Sequence, residues 1–208
     1  MSRQKFYVYA GFERFWHWTQ AVLIMMLALT GFEVHGSYEF LGYRQAVAFH
    51  NAAAIGLLIL VAFAIFWHFT TGEWRQYLPT RKFLRAQVQY YLLGIFRAEP
   101  HPTRKTPLSK LNPLQKLTYL GLKVLVIPVM GISGLLYMFA QGRIGTIAVL
   151  HTAGAFVVVA FVIGHIYLTT TGHTPFSNLK AMMTGYEELD VPGVEREERE
   201  AEYARRKA

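Results

Sequence analysis

The chain has 208 residues, 53% of them hydrophobic, 15% aromatic and only 16% charged, with a mean hydropathy of +0.23. That composition belongs to a membrane protein rather than to a soluble domain. With no cysteine it can form no disulfide, hold no cluster through thiolates and attach no cofactor through thioethers.

The N-terminal Arg3, Lys5 and Arg14 precede the first stretch free of Asp, Glu, Lys and Arg, Phe15 to Phe32. It opens on Phe15-Trp16-His17-Trp18, an aromatic belt of the kind found at a membrane boundary. The stretch is of full spanning length and has no small-residue cleavage site, so it reads as a retained helix rather than a signal peptide. A short loop rich in Gly and Tyr, Glu33 to Arg44, leads to the second stretch, Gln45 to Gly72. This one begins near His50, ends near Trp67-His68 and exceeds the length needed, which implies tilt or projection beyond the bilayer.

A middle segment follows. From Lys82 to Phe96 the apolar Phe83, Leu84, Val88, Tyr91, Leu92 and Ile95 alternate with Arg85, Gln87 and Gln89, a spacing that predicts an interfacial helix. Pro100, Pro102 and Pro107 interrupt the chain, and Asn112-Pro113 marks a helix start with Pro in the first turn. The third stretch, Val124 to Gly142, is expected to begin earlier, near Leu114, with the Lys123 ammonium snorkelling outward. Pro128 lies in its middle, where a kink is expected, and Gly131 and Gly134 serve either helix packing or room for a flat cofactor. The fourth stretch, Ile144 to Gly172, contains His151 and His165. The tail is amphipathic from Asn178 to Tyr186 and of mixed charge from Glu187 to Ala208, where alternating signs predict a solvated helix or a partner contact.

Four stretches of this length predict an all-α membrane protein, a four-transmembrane-helix bundle over residues 1–172 followed by a tail at 173–208. Orientation follows from the basic residues. Three precede the first span, eight lie between Glu73 and Leu111 and six follow Gly172, whereas the two remaining loops hold only Arg44 and Arg143. Both termini and the middle segment are therefore expected in the cytoplasm of a bacterial inner-membrane protein, and the net charge of +8 needs no nucleic acid to explain it.

The histidines carry the chemistry. His151 and His165 are separated by about four helical turns, which places them near one face at depths roughly 21 Å apart. Sorted by topology, His50 and His151 form an outer layer and His17, His68 and His165 an inner one. A buried imidazole costs free energy unless it is ligated or hydrogen-bonded, and ionisable groups inside a membrane are rare and usually functional. Zinc needs three or four ligands converging on one point, whereas these histidines divide between layers and lack carboxylates. Two b-type haems, each held by two imidazoles, suit the pattern better. The inner layer has one histidine too many. A faint echo between His50-Asn51-Ala52-Ala53-Ala54 and His151-Thr152-Ala153-Gly154-Ala155 would pair His68 with His165, and the residues alone leave this open against His17. In the outer layer His35 is a further possibility, but it lies past the helix end and is expected in solvent.

The chain resembles the di-haem cytochrome b subunits of membrane-bound formate dehydrogenases, nickel-iron hydrogenases and thiosulfate-reductase-like enzymes over nearly its whole length. The resemblance rests on Arg14-Phe15-Trp16-His17, on His50, on Asn112-Pro113-Leu114-Gln115-Lys116, on His151 with His165, and on Ala181-Met182-Met183-Thr184-Gly185. It implies that His50 and His151 ligate the outer haem iron and that His17 and His165 ligate the inner one. It also implies menaquinone or ubiquinone near the inner haem, in the vicinity of Asn112 and His165, leaving His68 available as a proton relay. Asn112 serves equally as the N-cap of the third span. The expected function is a membrane anchor that passes electrons between quinone and partner iron-sulfur and catalytic subunits docked on the outer face. A free-standing cytochrome of the b561 type, oxidising quinol or superoxide, is the alternative.

Overall fold

The four charge-free stretches form the four long helices of the structure, a computed structural model describing residues 2–81, 83–97, 99, 102–103, 110–139 and 145–191. These are α1 (Gly11–Val34), α2 (Tyr43–Thr71), a third span over Pro113–Phe139 and α6 (Gly145–Thr169), each long and apolar enough to cross a membrane. The protein is thus a mostly helical membrane protein. The third span starts at Pro113, as its proline predicts. Arg143, Lys82, Pro100, His101 and Pro107 lie outside the described residues.

The chain divides into two units, one made of Phe12–Glu73 with Gly121–Leu168, the other of Met1–Gly11, Trp74–Leu120 and Thr169–Ala208. The first contains the helical bundle. Lipid is as apolar as leucine, so membrane helices gain little by hiding hydrophobic residues and instead associate where small side chains allow close approach. Accordingly Phe15, Leu29, Phe63, Val124, Val149 and Ile163 point outward. The buried stripe of α2 is Ala46, Ala53, Leu60, Ala64 and His68, spaced by seven and then four residues. A Cβ on Gly131 would lie 3.2 Å from Leu58 Cδ2, so this glycine lets the third span approach α2.

The third span consists of α4 (Pro113–Gly121), one π-helical turn at Leu122–Val126 and α5 (Ile127–Phe139). Proline at 128 has no N–H and its ring would clash with the carbonyl four residues back. The wider turn just before it absorbs the disruption, with the Ile127 N–H donating to Leu122 O, five residues back. Lys123 sits on this turn. Its ammonium lies 3.4 Å from His68 Nε2 and 5.3 Å from the centre of the Trp16 ring, so it reaches within the bundle rather than snorkelling outward.

Glu33 closes the loop between α1 and α2. α2 has no side-chain cap of its own. The Glu33 Oε1 fills that role, accepting the N–H groups of Phe40, Leu41 and Gly42 at 2.9, 2.6 and 2.8 Å. An acid at the C-terminus of α1 opposes that helix's dipole, but it stands before the amides that precede α2, where a negative charge is favourable.

In the second unit, α3 (Leu84–Leu92) followed by a 3-10 turn at Gly94–Arg97 occupies the place of the expected interfacial helix and is shorter than expected. Phe83, Leu92, Leu93 and Phe96 are exposed, whereas Gln87, expected on the polar face, is fully buried and accepts a hydrogen bond from Thr103 Oγ1 at 3.0 Å.

The tail departs further from expectation. Where the mixed charge from Glu187 predicts a solvated helix or a partner contact, residues Tyr186–Val191 form a strand, β2, antiparallel to β1 at Ser2–Tyr7. Lys5 stands opposite Glu188 in register, and Tyr7 meets Tyr186 edge to face with ring centres 5.2 Å apart. Residues 192–208 of that predicted tail lie outside the described residues. The strand follows α7 (Ser177–Thr184), which ends at Gly185 in the left-handed region with φ 87°. A Cβ there would lie 2.7 Å from Tyr7 Cε2 and 2.8 Å from the Tyr9 carbonyl oxygen. Gly185→Ala therefore combines backbone strain with a clash and is expected to cost about 1–3 kcal/mol. A lowered midpoint of thermal unfolding checks this.

Candidate functional site

The bundle places its imidazoles as two couples. At one end His50 of α2 faces His151 of α6, with ring centres 6.3 Å apart and planes inclined at 71°. At the other, His17 of α1 faces His165 of α6 at 6.0 Å and 50°. Neither is a stacked or hydrogen-bonded pair. Two histidine nitrogens bound on opposite sides of one metal ion stand about 4 Å apart, and each ring centre lies roughly 1 Å further out, which gives about 6 Å between centres. Both couples match that span. Among the described residues no three His, Cys, Asp or Glu side chains converge on one point, so the arrangement is one of pairs and not of a zinc centre.

The outer couple is oriented from behind. His50 Nδ1 lies 3.0 Å from Thr30 Oγ1 of α1, and His151 Nδ1 lies 2.9 Å from Ser133 Oγ of the third span. Each hydroxyl donates its one proton to the carbonyl four residues back, Thr30 to Met26 O and Ser133 to Val129 O, both at 2.6 Å. Each must then accept from the imidazole, so both rings carry their proton on Nδ1 and present an Nε2 lone pair. The residue after each hydroxyl is a glycine against the imidazole, and at Gly134 the fit is tight. A Cβ on Gly31 would lie 3.4 Å from His50 Cε1, and one on Gly134 would lie 3.2 Å from His151 Cε1. Gly134 thus gives room to an imidazole while Gly131 serves helix packing. The side chain of Gly134→Val would push the His151 ring aside, and haem retention at this site is expected to fall by roughly 10-fold or more. Haem content per polypeptide after detergent washing checks it.

The inner couple is held differently. Phe161, one turn before His165, stacks on that ring with centres 5.7 Å apart and planes inclined at 20°. His17 Nδ1 is buried with no hydrogen-bond partner among the described residues. Unlike the outer rings, this one has no acceptor behind it, and the orphan nitrogen is an uncompensated cost.

His68 stands apart from both couples. It is buried, shares hydrogen-bonding distance with Ala64 O from Nδ1 at 2.6 Å, and meets Lys123 with Nε2. Trp16 and Trp67 meet its ring edge to face, at 5.3 and 5.2 Å. The sequence echo that would have aimed it at His165 is not the geometry found. His35, expected in solvent, is exposed but has Nε2 2.9 Å from Thr152 Oγ1 of α6. In the other unit Asn112 is a capping residue. Its Oδ1 accepts the Gln115 N–H at 2.8 Å, its own N–H donates to Gln115 Oε1 at 3.0 Å, and Nδ2 donates to Tyr91 Oη at 3.1 Å. The hydroxyls of Thr30 and Ser133 were missed by sequence reasoning, although the repeated hydroxyl-glycine dipeptides Thr30-Gly31 and Ser133-Gly134 were a usable signal.

Residues 8–185 match the family model described as prokaryotic cytochrome b561. The chain belongs to that family. It is also 32% identical over 198 residues, covering 88% of this chain and 75% of the relative, to an Escherichia coli protein named "Putative cytochrome YdhU". No solved structure matches it. As a prokaryotic cytochrome b561 with four apolar helices, the chain is a multi-pass protein of the bacterial inner membrane, a membrane cytochrome b of electron transfer. Haem b is the cofactor the family implies, and the donor set fits it: imidazoles only, in opposed pairs, with no thiolate anywhere in the sequence.

Proposed function

We propose that this cytochrome is the membrane-anchoring di-haem subunit of an oxidoreductase complex, passing electrons between an iron-sulfur subunit on the outer face and menaquinone or ubiquinone in the membrane. The observation that carries the reading is the presence of two opposed imidazole couples, at the two ends of α6, with nearly equal separations. His50 and His151 hold the outer haem and His17 and His165 the inner one. Bound haem b supplies reversible one-electron transfer at iron.

The residues around the couples have distinct tasks. Thr30 and Ser133 hold the outer rings, Phe161 braces His165, and the small residues of α2 and the third span keep the helices close. His68, hydrogen-bonded to its own helix and to Lys123, is the proton relay of this reading, serving the quinone reaction at the inner end. Asn112 belongs to the quinone vicinity through the amide N–H and the carbonyl lone pair that its cap and its bond to Tyr91 leave over.

Family membership suits a free-standing b561-type cytochrome equally well. Purification from native membranes in mild detergent separates the two readings. An anchor co-purifies with an iron-sulfur subunit and a larger catalytic subunit, whereas a protein that migrates alone and oxidises quinol or superoxide is free-standing.

A further inference from the structure

We infer that Thr30 and Ser133 are positioning residues that fix the Nδ1–H tautomer of His50 and His151 and thereby set the reduction potential of the outer haem. The inference rests on the assignment of those two histidines as a ligand pair.

The geometry is duplicated from two different helices. Thr30 is on α1 and Ser133 on the third span, each meets a histidine of another helix through Nδ1, and each has its proton directed to a carbonyl four residues back. Both hydroxyls are buried, at 5% and 4% exposure, so water does not compete for them. Both are followed by a glycine that lies against the same imidazole carbon, Cε1, closely enough at Gly134 that a Cβ would crowd it. A hydroxyl in an apolar helix often bonds only to its own backbone. Here the same oxygen makes that bond and also accepts from a second helix.

The consequence for a metal ligand follows from the direction of the bond. An imidazole that donates Nδ1–H to an oxygen is oriented about its ring and becomes more electron-rich at Nε2, which favours the oxidised metal. The Leu27 and Met130 carbonyls also accept from these two rings, so removing a hydroxyl leaves the Nδ1–H with one acceptor in place of two, the ring less basic and the reduced state favoured. The inner site differs, since His17 Nδ1 has no such partner among the described residues. Removal of the hydroxyls should therefore move one of two redox components and leave the other in place.

Thr30→Val keeps the shape of the side chain and removes only the oxygen's function, Ser133→Ala does the same at the second position, and Thr30→Ser is the rescue. The purified full-length cytochrome is titrated redox-optically in the b-type band, with His151→Ala identifying the outer component as the one it loses. The expected result is that Thr30→Val and Ser133→Ala each shift the outer component to higher potential, that the inner component stays where it was, and that Thr30→Ser returns the outer one to the wild-type value. Loss of the outer haem in Thr30→Val with retention in Thr30→Ser also supports the inference. Unshifted potentials in Thr30→Val and Ser133→Ala, or a Thr30→Ser variant that behaves like Thr30→Val, overturn it. Should Thr30→Val not accumulate, the shift or its absence in Ser133→Ala decides. Failure of the ligand assignment looks different: His151→Ala would then retain both components.

Discussion

Replacing His151 by alanine leaves a cytochrome with one b haem in place of two, the inner one with its wild-type spectrum. The ring of His151 is the partner of His50 at 6.3 Å, and no other imidazole among the described residues stands in its place. His35, the further histidine at that end, is bonded through Nε2 to Thr152. The variant should fold, because a smaller side chain at 151 removes a polar group from an apolar helix and frees the Ser133 hydroxyl, which retains its own-helix bond to Val129 O. Haem-to-protein stoichiometry and the fall of quinone-linked electron transfer to background check the result. Alanine at 50 should behave alike, since two opposed ligands act as a unit.

The second large effect separates His17 from His68. Alanine at 17 is expected to abolish the inner haem and leave the outer one, whereas alanine at 68 is expected to retain both haems and to slow quinone turnover. The two residues lie near the same end of the bundle, and only the geometry tells them apart: His17 faces His165 at 6.0 Å, while both ring nitrogens of His68 are engaged, with Ala64 O and Lys123. Spectra of the two variants, taken beside their quinone reductase rates, read this directly. Loss of a haem in the His68 variant would transfer the ligand role to that residue.

Much of the fold was legible because the bilayer imposes it. A charge-free run of about 20 residues has few alternatives to a spanning helix, and the helix ends at Val34, Thr71 and Thr169 fall within three residues of those read from hydropathy. Asn112-Pro113 gave the third start correctly since its signal is local. The strand pair was illegible for the opposite reason. Ser2–Tyr7 and Tyr186–Val191 are short, neither alternates polar with apolar residues (Ser2 to Lys5 are all polar and Glu187 adjoins Glu188), and each becomes a strand only by meeting a partner at the other end of the chain. Gln87 was misplaced because periodicity reports which face is polar, not that the half-buried Thr103 hydroxyl would satisfy that polarity.

In the site, spacing along α6 was enough to separate the layers, since 14 residues of helix is a fixed length. It could not choose between His17 and His68, because both lie at similar depth and the choice depends on rotation about two helix axes. The role of Gly131 and Gly134 was likewise undecidable from sequence. Three residues apart, one faces Leu58 and the other His151. The hydroxyls of Thr30 and Ser133 were passed over because serine and threonine are unremarkable in membrane helices when read one at a time.

The central claim is that opposed imidazoles hold two haems in this one chain. Its most direct test is the haem b content per polypeptide of the purified cytochrome, read from the pyridine haemochrome spectrum against amino-acid analysis. The account predicts two b haems per chain. A preparation that is folded and helical but binds none, or that binds one and keeps it in both His17→Ala and His151→Ala, contradicts it.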